Sequence, residues 1–562
     1  MQFSLWAPRP ESVSVAFPDR PALPMTRATD GWFTVTSACD AGTAYAFRLD
    51  DGKDVPDPAS RRQKDGIHGW SVVVDATRYA WRDTGWSGRP WREAVIYELH
   101  AGILGGFKAL IGRLPDLAAL GVTAIEVMPV NAFPGERNWG YDGVLPYAPD
   151  AAYGTPDDFR GLVDAAHALG MMVFLDVVYN HFGPDGNYLS LYAPDFFRSD
   201  VKTPWGAAID FRRPEVRSFF TDNVLMWLTD YHLDGLRFDA VHAITESDWI
   251  DEMAAAVRRS FPPDRHIHLI LENHNEASHL ERNVDAQWND DLHNVLHVIL
   301  TGENAGYYAD YSERTGETLL RCLTEGWSYQ GEFSRFLDSP RGTPSVHLPP
   351  SAHVMFLQNH DQTGNRAFGE RLTVLTPPAA LDAVVALQLL CPQIPLLFMG
   401  EEIASRTPFL FFTDHSDELA EAVREGRRAE FAGFAEFASP EGREQIPDPN
   451  ALATFLASMP RPGGAEADAR LALYKKLISI RRCEIVPRLD ATRTLGGAAL
   501  GPKAVAARWQ LGDGSRLSVA CNLDAAPVTV PQAAGRPIFC SKELEGDVLP
   551  AFCTAAYLDD AT

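Results

Sequence analysis

TPDDFRGLVDAAHALGMMVFLDVVYNH, residues 155–181, sets one amphipathic helix directly before a strand that is apolar on both faces. Thr155 stands at an N-cap position, and Pro156 fills the first helical position, whose N–H has no intrahelical partner. Phe159, Leu162, Val163 and Ala166 recur at helical spacing, and Gly170 supplies the stop. MMVFLDVVY then runs without polar alternation, the pattern of a strand covered on both sides. A helix that feeds such a strand is half of a β/α unit, and repetition of that unit implies a parallel sheet.

The unit does repeat. AVIYELH (94–100), the helix GFKALIGRLPDLAALG (106–121) and TAIEVMPV (123–130) precede it. DGLRFDAV (234–241), HIHLILEN (266–273), AHVMFLQNH (352–360) and IPLLFMGEE (394–402) follow, with a weaker sixth strand expected near Gln287–His293. Eight β/α units predict an α/β chain built on a (β/α)8 TIM barrel with sizeable loop insertions. An open doubly wound sheet is the rival, and no GxGxxG follows a strand to support it.

Short alternating runs flank this core. SVSVAF, WFTVTS, AYAFRL and WSVVV predict a small immunoglobulin-like β-sandwich over residues 1–80, of the kind found in carbohydrate-binding modules. Trp81, Trp86 and Trp91 then mark a packed linker, because indoles favour burial. The barrel is expected over 81–465. The Pro/Gly-rich MPRPGGAEADAR closes it, and AVAARWQL, RLSVACNL and APVTVP predict a small C-terminal antiparallel β-domain over 466–562.

Composition narrows the partners. Fifty basic against seventy-five acidic residues among 562 give a net charge of −25. Nucleic acid and anionic membrane surfaces need clustered cations, so neither is expected. No apolar run is long enough to span a bilayer, and the first residues lack a secretory pattern. Seven scattered cysteines without a CxxC pair argue against disulfides or zinc, fit buried small hydrophobes and suit a cytoplasmic protein.

Catalysis in a β/α barrel sits at the carboxyl ends of the strands. There DVVYNH supplies His181, GLRFDAVH supplies Arg237, Asp239 and His242, LILEN supplies Glu272, and FLQNHD supplies His360 and Asp361. Three strands thus bring three carboxylates to one rim. Singly, each reads as a cap or a structural ion pair. Together they suit acid/base work on a neutral polar substrate, with glycoside hydrolysis the leading case. Arg237 is expected to hold Asp239 ionised, and Glu272 to need a raised pKa so that it stays protonated.

Those four segments resemble the signature regions of glycoside hydrolase family 13, the α-amylase family, in order and spacing. Within it, PDPASRRQKDGIHGWSVVVD, YELHAG, NWGYDG, YNHFGPDGNYL, TPWGAAIDF, QWNDDLH, FLQNHDQTGNRAFGERL, MGEE and REGRRAEFAGF are similar to maltooligosyltrehalose trehalohydrolases over about residues 1 to 460. The resemblance implies retaining cleavage of the α-1,4-glucosidic bond beside a terminal trehalose. It implies Asp239 as nucleophile, Glu272 as general acid/base and Asp361 as transition-state stabiliser. Arg237, His181 and His360 would orient the acids or bind sugar, and Tyr141 would stack on the ring, with Asp142, His242 and Trp205 as further substrate contacts. The polar run Asn289, Asp290, Asp291 and His293 reads as a solvated loop, or by resemblance as part of the product side. Phe411 and Phe412 read as core residues that could wall the cleft.

No cofactor or metal is expected, although Asp176, Asn180 and Asp210 could in principle help to hold an ion. Maltooligosyltrehalose and related α-1,4-glucans are the implied ligands, with maltooligosyltrehalose synthase as a functional partner. A glycogen branching enzyme is the alternative activity, and a glucan-binding barrel without catalysis is a second. The sequence departs from the family pattern in two places. ALATFLASMPRPGG follows PDP where relatives carry a short stretch ending in Trp, and IASRTPFLFF after Glu402 lacks an aromatic at its start.

Overall fold

A computed structural model describes residues 1–203, 206–432, 437 and 439–560. Eight parallel strands form a closed barrel in sequence order: β1 (Ile96–Leu99), β2 (Ala124–Val127), β3 (Met172–Val177), β4 (Gly235–Phe238), β5 (His268–Leu271), β6 (Ala286–Trp288), β7 (His353–Phe356) and β8 (Ile394–Phe398). Strand β8 pairs back onto β1, so the sheet has no free edge. The rival open sheet is thereby excluded.

Local chemistry accounts for the frame. Thr155 accepts a hydrogen bond from the Asp158 N–H at 3.2 Å, and the Asp158 carboxylate accepts the Thr155 N–H at 3.0 Å. This reciprocal cap opens the helix Pro156–Ala168. Gly121, at φ 103, ends the helix Leu114–Leu120, and a Cβ there would meet Ile478 Cγ2 at 2.6 Å. Both the left-handed backbone and the close approach therefore require glycine.

The sixth strand is shorter than expected. It ends at Trp288, and residues Asp290–Thr301 are helical. The Asn289 side chain accepts the Leu292 N–H at 3.2 Å, so an N-cap stands where the sequence suggested more strand.

Two antiparallel sheets pack face to face at the N-terminus. One holds Gln2–Trp6 and Trp32–Thr36, the other Val13–Ala16 and Ala44–Leu49. Phe3, Leu5, Val15, Phe33 and Phe47 are buried in that region. The segment that follows is pinned beneath the barrel. Trp86 donates to Asp234 at 2.8 Å, Trp91 donates to the Ser351 carbonyl at 2.7 Å, and Trp81 stacks on His232 at 3.8 Å. The three indoles are half-buried.

The C-terminal sheet has five antiparallel strands in the order Arg493–Gly501, Ala504–Gln510, Arg516–Asn522, Cys553–Asp559 and Arg536–Cys540. Two of the expected strands, AVAARWQL and RLSVACNL, lie at its centre. APVTVP does not join it, since Val528–Thr529 pairs only with Val548–Leu549. Four cysteines are buried, whereas Cys483 is exposed and Cys39 and Cys540 are intermediate, so burial does not extend to all seven. No helix among the described residues is long and apolar enough to cross a membrane.

Candidate active site

Arg237 organises the carboxyl end of the barrel. It projects inward from β4, fully buried, with its guanidinium carbon 4.1 Å from the Trp288 ring centre. Nη1 donates to Asp176 at 2.7 Å and to Asp239 at 2.9 Å, and Nη2 donates to Glu272 at 2.6 Å. Asp239 also accepts from the Asn180 amide at 2.7 Å. Alternation on β4 puts Arg237 and Asp239 on one side. Ala240, just beyond, takes φ 40 and aims its N–H at Glu272 from 3.0 Å. A left-handed alanine costs energy, and here it completes the cradle of Glu272.

A second cluster joins this one through Tyr141. Its hydroxyl donates to Asp176 at 2.6 Å, and its ring stacks on His360 at 5.0 Å. The Glu98 carboxylate holds the His360 ring at 2.5 Å and accepts its backbone N–H at 3.0 Å. The free edge of that imidazole lies 3.4 Å from Asp361. His181 Nε2 lies 3.0 Å from the Tyr141 carbonyl, and its Nδ1 contacts Asn180. Asp142 accepts from Asn138 at 2.6 Å and faces His415 at 3.4 Å. His242 stands apart, stacked on His274 at 3.7 Å.

The structure thus brings together Tyr141, His181, Arg237, Asp239, Glu272, His360 and Asp361. Asp142 and His242 flank them, and Trp205 lies outside the described residues. Phe412 is buried against His100 and Phe409, which makes it a core residue, and Phe411 packs edge-on to Trp139 at 5.2 Å. Asp176 and Asn180 are tied to the carboxylate cluster through Arg237 and Asp239, whereas Asp210 is held by Arg212.

The polar run after β6 is not a solvated loop. Asp291 is buried, accepting from Asn275 at 2.8 Å and Ser328 at 2.7 Å, and it faces Arg341 at 3.3 Å. His293 is buried, and its Nδ1–H donates to the Leu357 carbonyl at 2.8 Å. Asp290 does face the cleft. Burial, then repulsion from Glu272, pushes its carboxyl up to about 7.

Electrostatics correct one expectation. Arg237 meets three carboxylates, so the cluster is short of positive charge. Burial, then the Glu272 charge, raises Asp239. Burial would raise Glu272 too, but Arg237 and the Ala240 N–H outweigh it and lower its pKa. The expected order is therefore inverted, because the Glu272 charge adds to burial at Asp239, whereas Arg237 and the Ala240 N–H outweigh burial at Glu272. Two acids on one guanidinium titrate as a pair. Burial also lifts Asp176 to about 6 against the pull of Arg237. Burial opposes charging of His360, yet Asp361 and Glu98 overcome it and raise it to about 9. Burial lowers His181 to about 4.

Sequence reasoning missed Glu98 and Glu126. Each is a charge inside an apolar barrel strand, which was the available signal. Glu126 lies opposite Glu98 in register, and neither of its carboxyl oxygens has a hydrogen-bond partner among the described residues. Burial raises its pKa well above the ordinary range.

Comparisons with known proteins identify the family. The model of the α-amylase catalytic domain matches residues 61–193, and a domain of unknown function, DUF3459, matches 492–555. A malto-oligosyltrehalose trehalohydrolase of Deinococcus radiodurans is 41% identical, covering 94% of this chain and 90% of its own length. One from Saccharolobus solfataricus is 40% identical over 85% of each chain. The crystal structure of a putative α-amylase from Salmonella typhimurium superposes with a TM-score of 0.94 at 44% identity, covering 100% of this chain and 97% of that one. Identity at this level, sustained from the first strands to the last sheet, has one reading: the chain belongs to the malto-oligosyltrehalose trehalohydrolases, within the α-amylase family.

Proposed function

We propose that the protein hydrolyses the α-1,4 bond next to the terminal trehalose of maltooligosyltrehalose, releasing trehalose and a shortened maltooligosaccharide. The observation that carries this is the fork of Arg237, which presents Asp239 and Glu272 side by side at the rim of the barrel. Retaining glycosidases need two carboxyls about 5–5.5 Å apart, and sharing one guanidinium suits that spacing better than the wider inverting one.

Asp239 attacks the anomeric carbon of the glucose linked to trehalose. The bond to the trehalosyl oxygen breaks, and the Glu272 proton passes to that oxygen. Glu272, now a carboxylate, takes a proton from water, the water oxygen attacks the same carbon, and Asp239 is released. The shared proton of the free pair reaches Glu272 on substrate binding. A lone pair on the glycosidic oxygen favours a proton donor there, and positive charge growing on the sugar favours an anion at Asp239. Asp361 and His360 hold hydroxyls of the distorted ring, Tyr141 stacks on it, and His181 and Asp142 flank it. Trp205 and His242 remain proposed contacts.

The chain divides at 1–80, 81–465 and 466–562 on this reading. An enzyme that creates the trehalose end, maltooligosyltrehalose synthase, is the proposed functional partner, and the proposed compartment is the cytoplasm. Incubation with maltotriosyltrehalose tests the activity. Free trehalose and maltotriose are expected, and branched products without trehalose would establish a branching enzyme instead.

The His360 imidazolium sets a pH prediction. Its pKa is raised, so the charged form persists at neutrality and is lost as pH passes about 9. The alkaline limb of kcat/KM should fall there. Glu98→Gln removes a charge that supports the imidazolium and should move the limb down by about one unit or more. A pH profile in which the two proteins share one limb would contradict this role.

A further inference from the structure

A cavity of about 460 Å³ opens where β1 and β2 begin, at the end of the barrel opposite the catalytic carboxylates. Arg89 and Arg92 reach it from the segment before β1. Arg481 and Arg482 reach it from the turn after the helix Ala467–Ile480. Among the described residues Glu93 is the one carboxylate on its wall. Four guanidiniums against one acid make a local excess of positive charge in a chain of net charge −25.

Arg481 is the unusual member. It is fully buried and has no carboxylate partner among the described residues. Nη1 donates to the Cys391 carbonyl at 2.5 Å and Nη2 to the Gln393 carbonyl at 2.7 Å, just past the helix Pro378–Leu390. Its Nε–H has no partner among the described residues. A helix C-terminus carries roughly half a negative charge, so about half of the guanidinium charge stays uncompensated. Burial lowers the pKa only to about 10, and the group remains charged at neutrality. A buried charge is costly until a counter-ion meets it.

The neighbours add to this demand. Arg482 is exposed, and its side chain makes no hydrogen bond or ion pair among the described residues. Arg89 meets Glu93 at 2.7 Å and the Gly170 carbonyl at 3.1 Å, yet its buried Nε–H is unpartnered as well. Arg92 pairs with the exposed Asp490 at 2.9 Å. Guanidinium forks match phosphate oxygens, and a dianion balances two of them where a monocarboxylate balances one. Val95, Ile478, Val486 and Pro487 supply an apolar wall beside the arginines. The net charge of −25 repels a long polyanion, so the fitting ligand is small.

We propose that this cavity binds a small phosphorylated metabolite, with its phosphate on Arg481 and Arg482 and its organic body against Val95, Ile478 and Val486. The bound phosphate ties the segment that enters the barrel to the turn that leads into the C-terminal sheet. The site is remote from Asp239 and Glu272 and does not depend on the activity proposed above.

Calorimetric titration at constant ionic strength tests it. Inorganic phosphate and phenyl phosphate are titrated separately into the full chain as wild type, Arg482→Gln and Arg508→Gln. Arg482 is exposed and unpaired, so its loss should leave the fold intact, and Arg508 is an exposed arginine of the C-terminal sheet outside this cavity. Both probes should bind the wild type saturably at one site, the ester about three-fold tighter or more because it also buries apolar surface. Loss of a charge-assisted contact should raise both dissociation constants about ten-fold in Arg482→Gln. Arg508→Gln should match the wild type. Phosphate should also raise the wild-type melting temperature until the site is full, and less so in Arg482→Gln. Absence of saturable binding would overturn the proposal, as would equal constants in all three proteins. An ester that binds no better than phosphate would overturn the assignment of a metabolite with an organic body.

Discussion

Asp239→Asn is expected to lower turnover by roughly 10⁵-fold or more while leaving the protein folded. Removing an attacking group typically costs on this scale, because the remaining groups bind the substrate without opening its bond. The substitution is nearly isosteric. It replaces one of three carboxylates around a single guanidinium, so it relieves a charge imbalance rather than creating one. The amide can accept from Arg237 or from Asn180 but not from both on its nitrogen side. One contact therefore weakens, and melting should move little. Steady-state hydrolysis of maltotriosyltrehalose beside a thermal melt measures both quantities. Activity above about one per cent in a correctly folded variant would remove Asp239 from the role of nucleophile.

Arg237→Leu should fail differently. It leaves Asp176, Asp239 and Glu272 facing one another in a buried site without their cation. Breaking a buried ion pair in this way costs about 3–5 kcal/mol. Activity is lost together with stability. The sign of the pH dependence follows from linkage. Without Arg237 the three carboxyls gain raised folded-state pKa values, so the folded state binds more protons than the unfolded chain. Stability then falls as pH rises, and lowering the pH from 7 towards 5 should recover part of the loss. Lysine should not rescue the site, since a single ammonium cannot reproduce the fork that serves Asp239 and Glu272. Melting curves of the variant at several pH values test this. A deficit that does not depend on pH would point to lost packing against Trp288 instead.

The barrel was legible where local chemistry and periodicity agreed. Thr155, Pro156 and Gly170 bracket a helix whose apolar face needs no tertiary information, and the double-faced strand after it fixes the layer order. The rim carboxylates were legible because charge at the end of an apolar strand is costly without a function. β6 was hard to place, because three residues are too few to show a period and Asn289 caps a helix at once. The strand Arg493–Gly501 was invisible because its glycines and alanines carry no strand preference. Glu98 showed a signal that went unused. The protonation order of Asp239 and Glu272 was not legible at all, since it depends on how burial, Arg237 and the Ala240 N–H divide between the two carboxyls in space. The pairing of His242 with His274 depends on two loops meeting in space, and spacing along the chain does not reveal it.

The central claim is end-specificity joined to this carboxylate pair. It is tested most directly by comparing kcat/KM for maltotriosyltrehalose and for maltopentaose, equal in ring number and different only at the trehalose end. The account predicts rapid release of trehalose and maltotriose from the first and slow or no cleavage of the second. Comparable cleavage of both would contradict it and leave only an α-glucan hydrolase of the wider family.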